Sequence, residues 1–183
     1  MTDDGSAEDW LARIFDAHAR DIHRYLRRRL QGASDPIADA DDLTAEVFAI
    51  TWRRRDDVAD PALAWLYGVA RRVLAAHRRR VVTLPVLEPA DTDEIADESP
   101  ADDVADLVTD DLALRAAWAT LADRDREVLL LAAWEGLTET QIATVLGVSV
   151  GGASSALSRA RARLRDALTH QNQADQDQAD QDQ

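Results

Sequence analysis

Cysteine is missing from the 183 residues, which removes disulfide frameworks, thiolate zinc sites and cysteine nucleophiles. Lysine is missing as well, so all 21 basic residues are arginine. Any anion the chain meets is therefore met by planar guanidinium forks, which suit phosphate and guanine. The Gly151-Gly152 pair also lacks the lysine of a phosphate-binding loop. No apolar run approaches the length of a membrane span. The start, Met1 to Asp9, is acidic, whereas a signal peptide is basic and then apolar. The expectation is a cytoplasmic protein with no membrane insertion. His18, His23, His77 and His170 are scattered, and no nucleophile stands recognisably beside a base. Neither an enzyme nor a metal or cofactor site is expected.

Charge is present in quantity, and its placement matters more than its sum. The net charge of −14 argues against a nucleic-acid partner only if it is spread evenly. Residues 1–80 hold 14 Arg and 14 Asp or Glu, and residues 113–170 hold 7 and 6. Residues 81–112 hold 11 acids and residues 171–183 hold 4, with no base in either segment. Because screening limits fields to about 10 Å, clustered arginines in the two near-neutral blocks keep their local effect. The acidic segment 81–112 mixes Pro85, Pro89 and Pro100 with its acids and has no aromatic residue, the composition of a flexible linker. The segment 171–183 repeats Gln-Ala-Asp-Gln-Asp and reads as a disordered tail. Two small domains, 1–80 and 113–170, remain.

Both domains read as helical. Leu11, Ile14, Phe15, His18, Ile22, Tyr25, Leu26 and Leu30 follow the three-to-four spacing of one helix face between Trp10 and Leu30. Asp35-Pro36 is a cap followed by a first-turn proline, opening a second helix that ends near Arg53-Arg54-Arg55. Asp60-Pro61 repeats that signal for a third helix ending at Arg78-Arg79-Arg80. Trp10, Trp52, Trp65, Trp118 and Trp134 are expected to anchor cores. In the second block Leu114, Trp118 and Leu121 mark one helix, and Asp123 is placed to cap the next, which Gly136 stops. Thr138-Glu139-Thr140-Gln141 fits a capping box. The short helix after it is expected to bury Ile142, Ala143 and Leu146. Gly147-Val148-Ser149 turns the chain, and Ser149 can cap a last helix lined on one side by Ala153, Leu157, Ala160, Leu164 and Leu168. The class is all-α, with two small helical domains joined by an acidic flexible linker, the C-terminal one a helix-turn-helix.

Three strings carry a resemblance: DADDLTAEVFAITW from Asp39 to Trp52, AWLYGVARRV from Ala64 to Val73, and the stretch from Arg124-Asp-Arg-Glu-Val-Leu129 through Ser158-Arg-Ala-Arg-Ala-Arg-Leu164. The chain resembles an extracytoplasmic-function (group-four) sigma factor of bacterial RNA polymerase over about residues 9–80 and 112–168. The resemblance implies that the first domain binds the polymerase clamp and opens the minus-ten element, while the second binds the minus-thirty-five element. It assigns Asp41, Asp42 and Glu46 to the clamp. It assigns Arg53, Arg54, Arg55, Asp60, Arg71, Arg72, Arg78, Arg79 and Arg80 to minus-ten DNA, with the loop Asp56 to Pro61 receiving a flipped base. Ser149, Ser154, Ser155, Ser158, Arg159, Arg161 and Arg163 face the minus-thirty-five element on this reading. The implied partners are core RNA polymerase, promoter DNA and, in some members, an anti-sigma factor. The linker would either act as an acidic mimic of nucleic acid inside the polymerase or serve only as a soluble tether. Many relatives carry Asn at the place of Arg72 and basic residues at the places of Ala132, Ser154 and Ala156, so promoter binding by the second domain alone is expected to be feeble. A helix-turn-helix regulator that is no sigma subunit is the other reading, but residues 1–80 show no alternating strands for a receiver domain.

Overall fold

Apolar stripes at helical spacing bury themselves against each other in a computed structural model that describes residues 4–30, 35–82 and 112–181. The order is α1 (Asp4–Arg29), α2 (Pro36–Arg53), a short 3-10 turn (Arg55–Asp57), α3 (Leu63–Val82), α4 (Leu112–Ala119), α5 (Asp123–Ala133), α6 (Glu139–Leu146) and α7 (Val150–Gln181). The described residues contain no strand. Contacts divide the chain into two units, α1 to α3 and α4 to α7. Among the described residues, no single helix is long and apolar enough to cross a membrane.

The first unit closes around Ile22, Tyr25 and Leu26 of α1, Leu43 and Val47 of α2, and Leu66, Val69 and Val73 of α3, all buried. Each such aliphatic side chain contributes about 1.5–3 kcal/mol on leaving water. Tyr25 and Tyr67 meet at 5.2 Å between ring centres, and Phe15 meets Phe48 edge-on at 4.8 Å. Two hydroxyls enter the core because each donates back along its own helix, Thr44 to the Ala40 carbonyl and Thr51 to the Val47 carbonyl. Helix α2 starts as expected: the Asp35 carboxylate accepts the Ala38 N–H at 3.0 Å, with Pro36 behind it.

The boundaries of the other two helices differ from expectation. Helix α1 begins at Asp4, six residues before Trp10, and takes in Gly5 despite its low helix propensity, with no proline in between. Asp60-Pro61 does not cap α3. That peptide bond is cis, and the first helical bond runs from the Leu66 N–H to the Ala62 carbonyl. Asp-Pro serves turns as readily as caps, and here it closes the turn that follows the 3-10 segment. Helix α3 then continues two residues past Arg80 to Val82.

The second unit packs α4, α5 and α6 around the first half of α7, with Trp118, Val128, Leu131, Ile142, Val145, Ala153 and Leu157 inside. Val145 is buried where Leu146 was expected. Thr138 and Gln141 form the capping box: the Thr138 hydroxyl accepts the Gln141 N–H, and the Gln141 side chain accepts the Thr138 N–H at 2.9 Å. Gly147 ends α6 at φ +67°, in the left-handed region that a Cβ disfavours. The Ser149 Oγ accepts the Gly152 N–H at 3.1 Å and so caps α7. Asp123, expected as a cap, is the first residue of α5, with Ala122 in the cap position. Its carboxylate instead meets Arg126 at 3.0 Å, one turn on.

The tryptophans divide. Trp118 is buried, Trp10, Trp52 and Trp65 are half-buried, and Trp134 is 42% exposed. The tail reading also changes, because α7 runs on to Gln181. Residues 172–181 contain Asn, Gln, Ala and Asp without Gly or Pro, and extending an existing helix needs no new nucleus. The linker expected over 81–112 lies, apart from its ends, outside the described residues, with Val82 still in α3 and Leu112 already in α4.

Candidate nucleic-acid interface

The arginines of α3 separate into two faces. Arg72 and Arg79, seven residues apart, are exposed, whereas Arg71 and Arg78 are half-buried on the neighbouring face. Arg78 donates to the Arg29 carbonyl at the end of α1, which ties the two helices together at a place where a cation also offsets the helix dipole. Arg29 is itself buried, its guanidinium 3.8 Å from the Tyr25 ring centre and donating to the Tyr25 carbonyl at 3.3 Å. Arg80 lies 3.6 Å from Glu46. At the end of α2, Arg53 is exposed, Arg54 pairs with Asp57 at 2.9 Å, and Arg55 sits over the Trp52 ring at 5.2 Å.

Beside these cations a cavity of about 430 Å³ opens between α1 and the loop before α3. The loop supplies Val58, Asp60 and Pro61, and α1 supplies Trp10, Arg13 and His18. Of this group, sequence reasoning had singled out the loop residues, Asp60 by name and Val58 and Pro61 as part of the loop Asp56 to Pro61. His18 had been read as part of an apolar stripe and Trp10 as a core anchor. The signal that could have found them is the interruption of that stripe by a polar ring at His18, one turn beyond Ile14.

The acidic trio lies on the exposed side of α2. Asp41 is 68% exposed and meets the His23 imidazole at 3.1 Å. Asp42 is exposed, and Glu46, one turn further, is half-buried beside Arg80. Asp39 meets His77 at 3.8 Å on the other side. Sequence spacing alone did not reveal these cross-helix partners.

In the second unit, α7 turns Ala153, Ala156, Leu157 and Ala160 inward and leaves Ser155, Ser158 and Arg159 exposed. Ser154, Ser158, Arg161 and Arg165 line an open groove with Glu139 at the start of α6. Two of the anticipated base or phosphate contacts have internal work: Ser149 is the helix cap, and Arg163 reaches the Asp125 carboxylate on α5. A helix whose inward side is small and apolar and whose first exposed turns are polar can lie in a major groove, with base edges facing those turns.

Two family models match in sequence order, Sigma-70 region 2 over residues 14–82 and Sigma-70, region 4 over residues 111–164. The RNA polymerase sigma-E factor of Streptomyces coelicolor is 35% identical over 143 residues, covering 78% of this chain and 78% of that protein. The ECF RNA polymerase sigma factor SigL of Mycobacterium tuberculosis is 32% identical over 158 residues, covering 85% and 86%. Among solved structures, the sigma factor RpoE in complex with the anti-sigma factor NepR from Bartonella quintana matches with a TM-score of 0.51 and 21% identity, over 85% of this chain and 96% of that one. That likeness concerns the fold. With both regions matched in order, and with relatives aligned across both helical units at such identity, the chain belongs to the extracytoplasmic-function sigma factors of RNA polymerase.

Proposed function

We propose that this sigma factor binds core RNA polymerase in the cytoplasm and selects promoters with both of its units, acting by binding and not by catalysing a reaction of its own. The acidic face of α2, with Asp41, Asp42 and Glu46, meets basic side chains of the polymerase clamp. Arg53 and Arg72, exposed on the first unit, hold minus-ten phosphates. Arg54, Arg55, Arg71, Arg79 and Arg80 add to the same field while engaged with neighbours, and Arg78 acts through the α1 terminus. The loop 56–61 takes a base out of the opening duplex. On the second unit, Ser154, Ser155, Ser158 and Arg159 face base edges of the minus-thirty-five element, and Arg161 holds phosphate. Because one structural neighbour is described with an anti-sigma factor, an inhibitory protein of that kind is a further partner on this reading.

The observation that carries the proposal is the bare polar side of α7 held by a capped, left-handed turn against α6. Run-off transcription with core enzyme and a library of genomic fragments tests it. Defined start sites that appear only with the protein support the reading. Their absence, with the protein still co-purifying with core enzyme, removes it.

A further inference from the structure

We propose that the outer face of α1 is a docking surface for the acidic segment of this same chain, with Arg20, Arg24 and Arg27 receiving carboxylates from residues 88–98. The inference stands on charge and tether length within the first unit and does not depend on how a promoter is read.

Helix α1 is electrically divided. Residues 4–16 hold four acids and one arginine, whereas residues 17–29 hold five arginines and one acid. Arginines in the last turn complement the helix dipole, which accounts for Arg27, Arg28 and Arg29. That effect fades within a turn of the end, so Arg20 and Arg24, nine and five residues before Arg29, need another reason. The spacing sets Arg20, Arg24 and Arg27 on one side of the helix, turned away from buried Ile22 and Leu26, and all three are exposed. Like charges one turn apart on a helix repel each other. Elsewhere in this unit acids relieve such arginines, as Asp57 does for Arg54 and Glu46 for Arg80. Arg24 meets Asp21 of its own helix. Among the described residues Arg20 and Arg27 form no ion pair or side-chain hydrogen bond, although Asp16 stands one turn before Arg20.

The chain itself carries the complementary charge within reach. Because Arg78 donates to the Arg29 carbonyl, α3 ends beside the end of α1. Arg27 lies about 3 Å and Arg20 about 14 Å back from Arg29 along the helix axis. Extended chain spans up to about 20 Å from Val82 to Glu88 and about 30 Å to Asp91. Glu88 therefore reaches Arg27, and the acids of residues 91–98 reach Arg20. Residues 88–98, outside the described residues, hold six acids and no base. Single exposed pairs are weak, but a short tether holds these acids at roughly millimolar effective concentration, so several act together. DNA is the other polyanion that suits such a face, yet the tethered acids are present at that concentration before any DNA arrives. While docked, the segment withholds these arginines from nucleic acid.

The absence of cysteine allows one nitroxide label on the full chain, at Thr92→Cys. Paramagnetic broadening of the α1 amides then reads proximity. At amides 20–27 it should be at least about threefold stronger at about 50 mM salt than at about 500 mM, where screening is short-ranged. It should fall to the high-salt level in Arg20→Gln/Arg24→Gln/Arg27→Gln, which keeps good helix formers on an exposed face. The salt comparison uses the wild-type stripe and stands whatever the variant's stability. Broadening that is equal at both salts and unaltered by the variant reports the tether alone and overturns the proposal. Binding of a promoter-free DNA duplex provides the second readout. Asp91→Asn, Asp93→Asn, Glu94→Gln, Asp97→Asn and Glu98→Gln together should raise duplex affinity about tenfold at low salt with the arginines present, and less than about threefold without them. Equal gains in both backgrounds indicate general repulsion and overturn the docking. So does a loss of duplex affinity on removing the arginines that is as large with the acids intact as without them, which would make α1 a nucleic-acid face.

Discussion

Arg163→Ala should weaken the second unit without changing how it senses phosphate. The Asp125 side chain is 9% exposed and that of Arg163 58% exposed, so the pair joins a buried carboxylate on α5 to a half-hydrated cation on α7. Removing the arginine leaves the carboxylate buried without this partner, at a cost of about 1–3 kcal/mol. The roughly 3–5 kcal/mol typical of a fully buried pair is too large here, because water reaches the guanidinium side. For a domain of this size, at about 4–8 °C per kcal/mol, the loss corresponds to a fall of about 4–24 °C in melting temperature, measurable by calorimetry on the full chain. Asp125→Ala, and the double variant, complete a cycle whose coupling energy isolates the pair. The salt dependence of minus-thirty-five binding provides the second measurement. Arg161→Ala, which strips a cation from the open groove, should lower the slope by about 0.9, whereas Arg163→Ala should leave it unchanged. An Arg163→Ala protein that melts normally and loses a full unit of salt slope would refute the reasoning.

Gly147→Ala should cost about 1–2 kcal/mol, because the turn needs φ +67° although nothing lies within 4 Å of the added Cβ; denaturant unfolding of the second unit reads it. Thr138→Ala removes the hydroxyl half of the capping box and should lower stability by about 1 kcal/mol, with DNA affinity falling only as the folded fraction falls. Leu131→Ala, at a fully buried position, should cost about 2–5 kcal/mol in the same measurement. Ending the chain after Gln171 should leave the melting temperature within about 2 °C, since the residues beyond carry no apolar side chain larger than Ala.

The elements that sequence disclosed are those written in local chemistry. Asp35-Pro36, Thr138 with Gln141, Gly147 and Ser149 each act on amides within four residues, so a short string determines them. The α7 face was legible for the same reason, from the alternation of small apolar and polar residues. What escaped depends on residues far apart in the chain. The Arg78 contact with the α1 terminus spans 49 residues and the Arg163 contact with Asp125 spans 38, and no spacing rule announces either. Asp60-Pro61 misled because one dipeptide serves two backbone outcomes. The contribution of α1 to the loop cavity was invisible for a related reason: Trp10 and Arg13 are unremarkable on a helix until the loop is folded beside them.

A chain of net charge −14 that binds DNA is less paradoxical once its arginines are followed individually. Arg29 and Arg78 fix the end of α1, Arg54 and Arg80 face acids, Arg126 meets Asp123, and Arg163 holds α7 to α5. Guanidinium groups used in this way stabilise the units and contribute little to a phosphate's field. On the faces proposed to meet DNA, the exposed cations include Arg53 and Arg72 on one unit and Arg159 and Arg161 on the other. Each neutralised phosphate contributes about 0.9 to the salt slope, so either unit alone is expected to show a shallow slope and weak affinity at physiological salt. Meanwhile 11 acids in residues 81–112 and 4 in residues 171–183 repel a second polyanion whenever they come within about 10 Å of it. The arrangement disfavours binding to DNA by the free protein and favours binding when another macromolecule supplies the missing contacts and draws the acidic segments aside. Core polymerase meets both conditions on the proposed reading, which makes promoter binding conditional on assembly through charge placement alone.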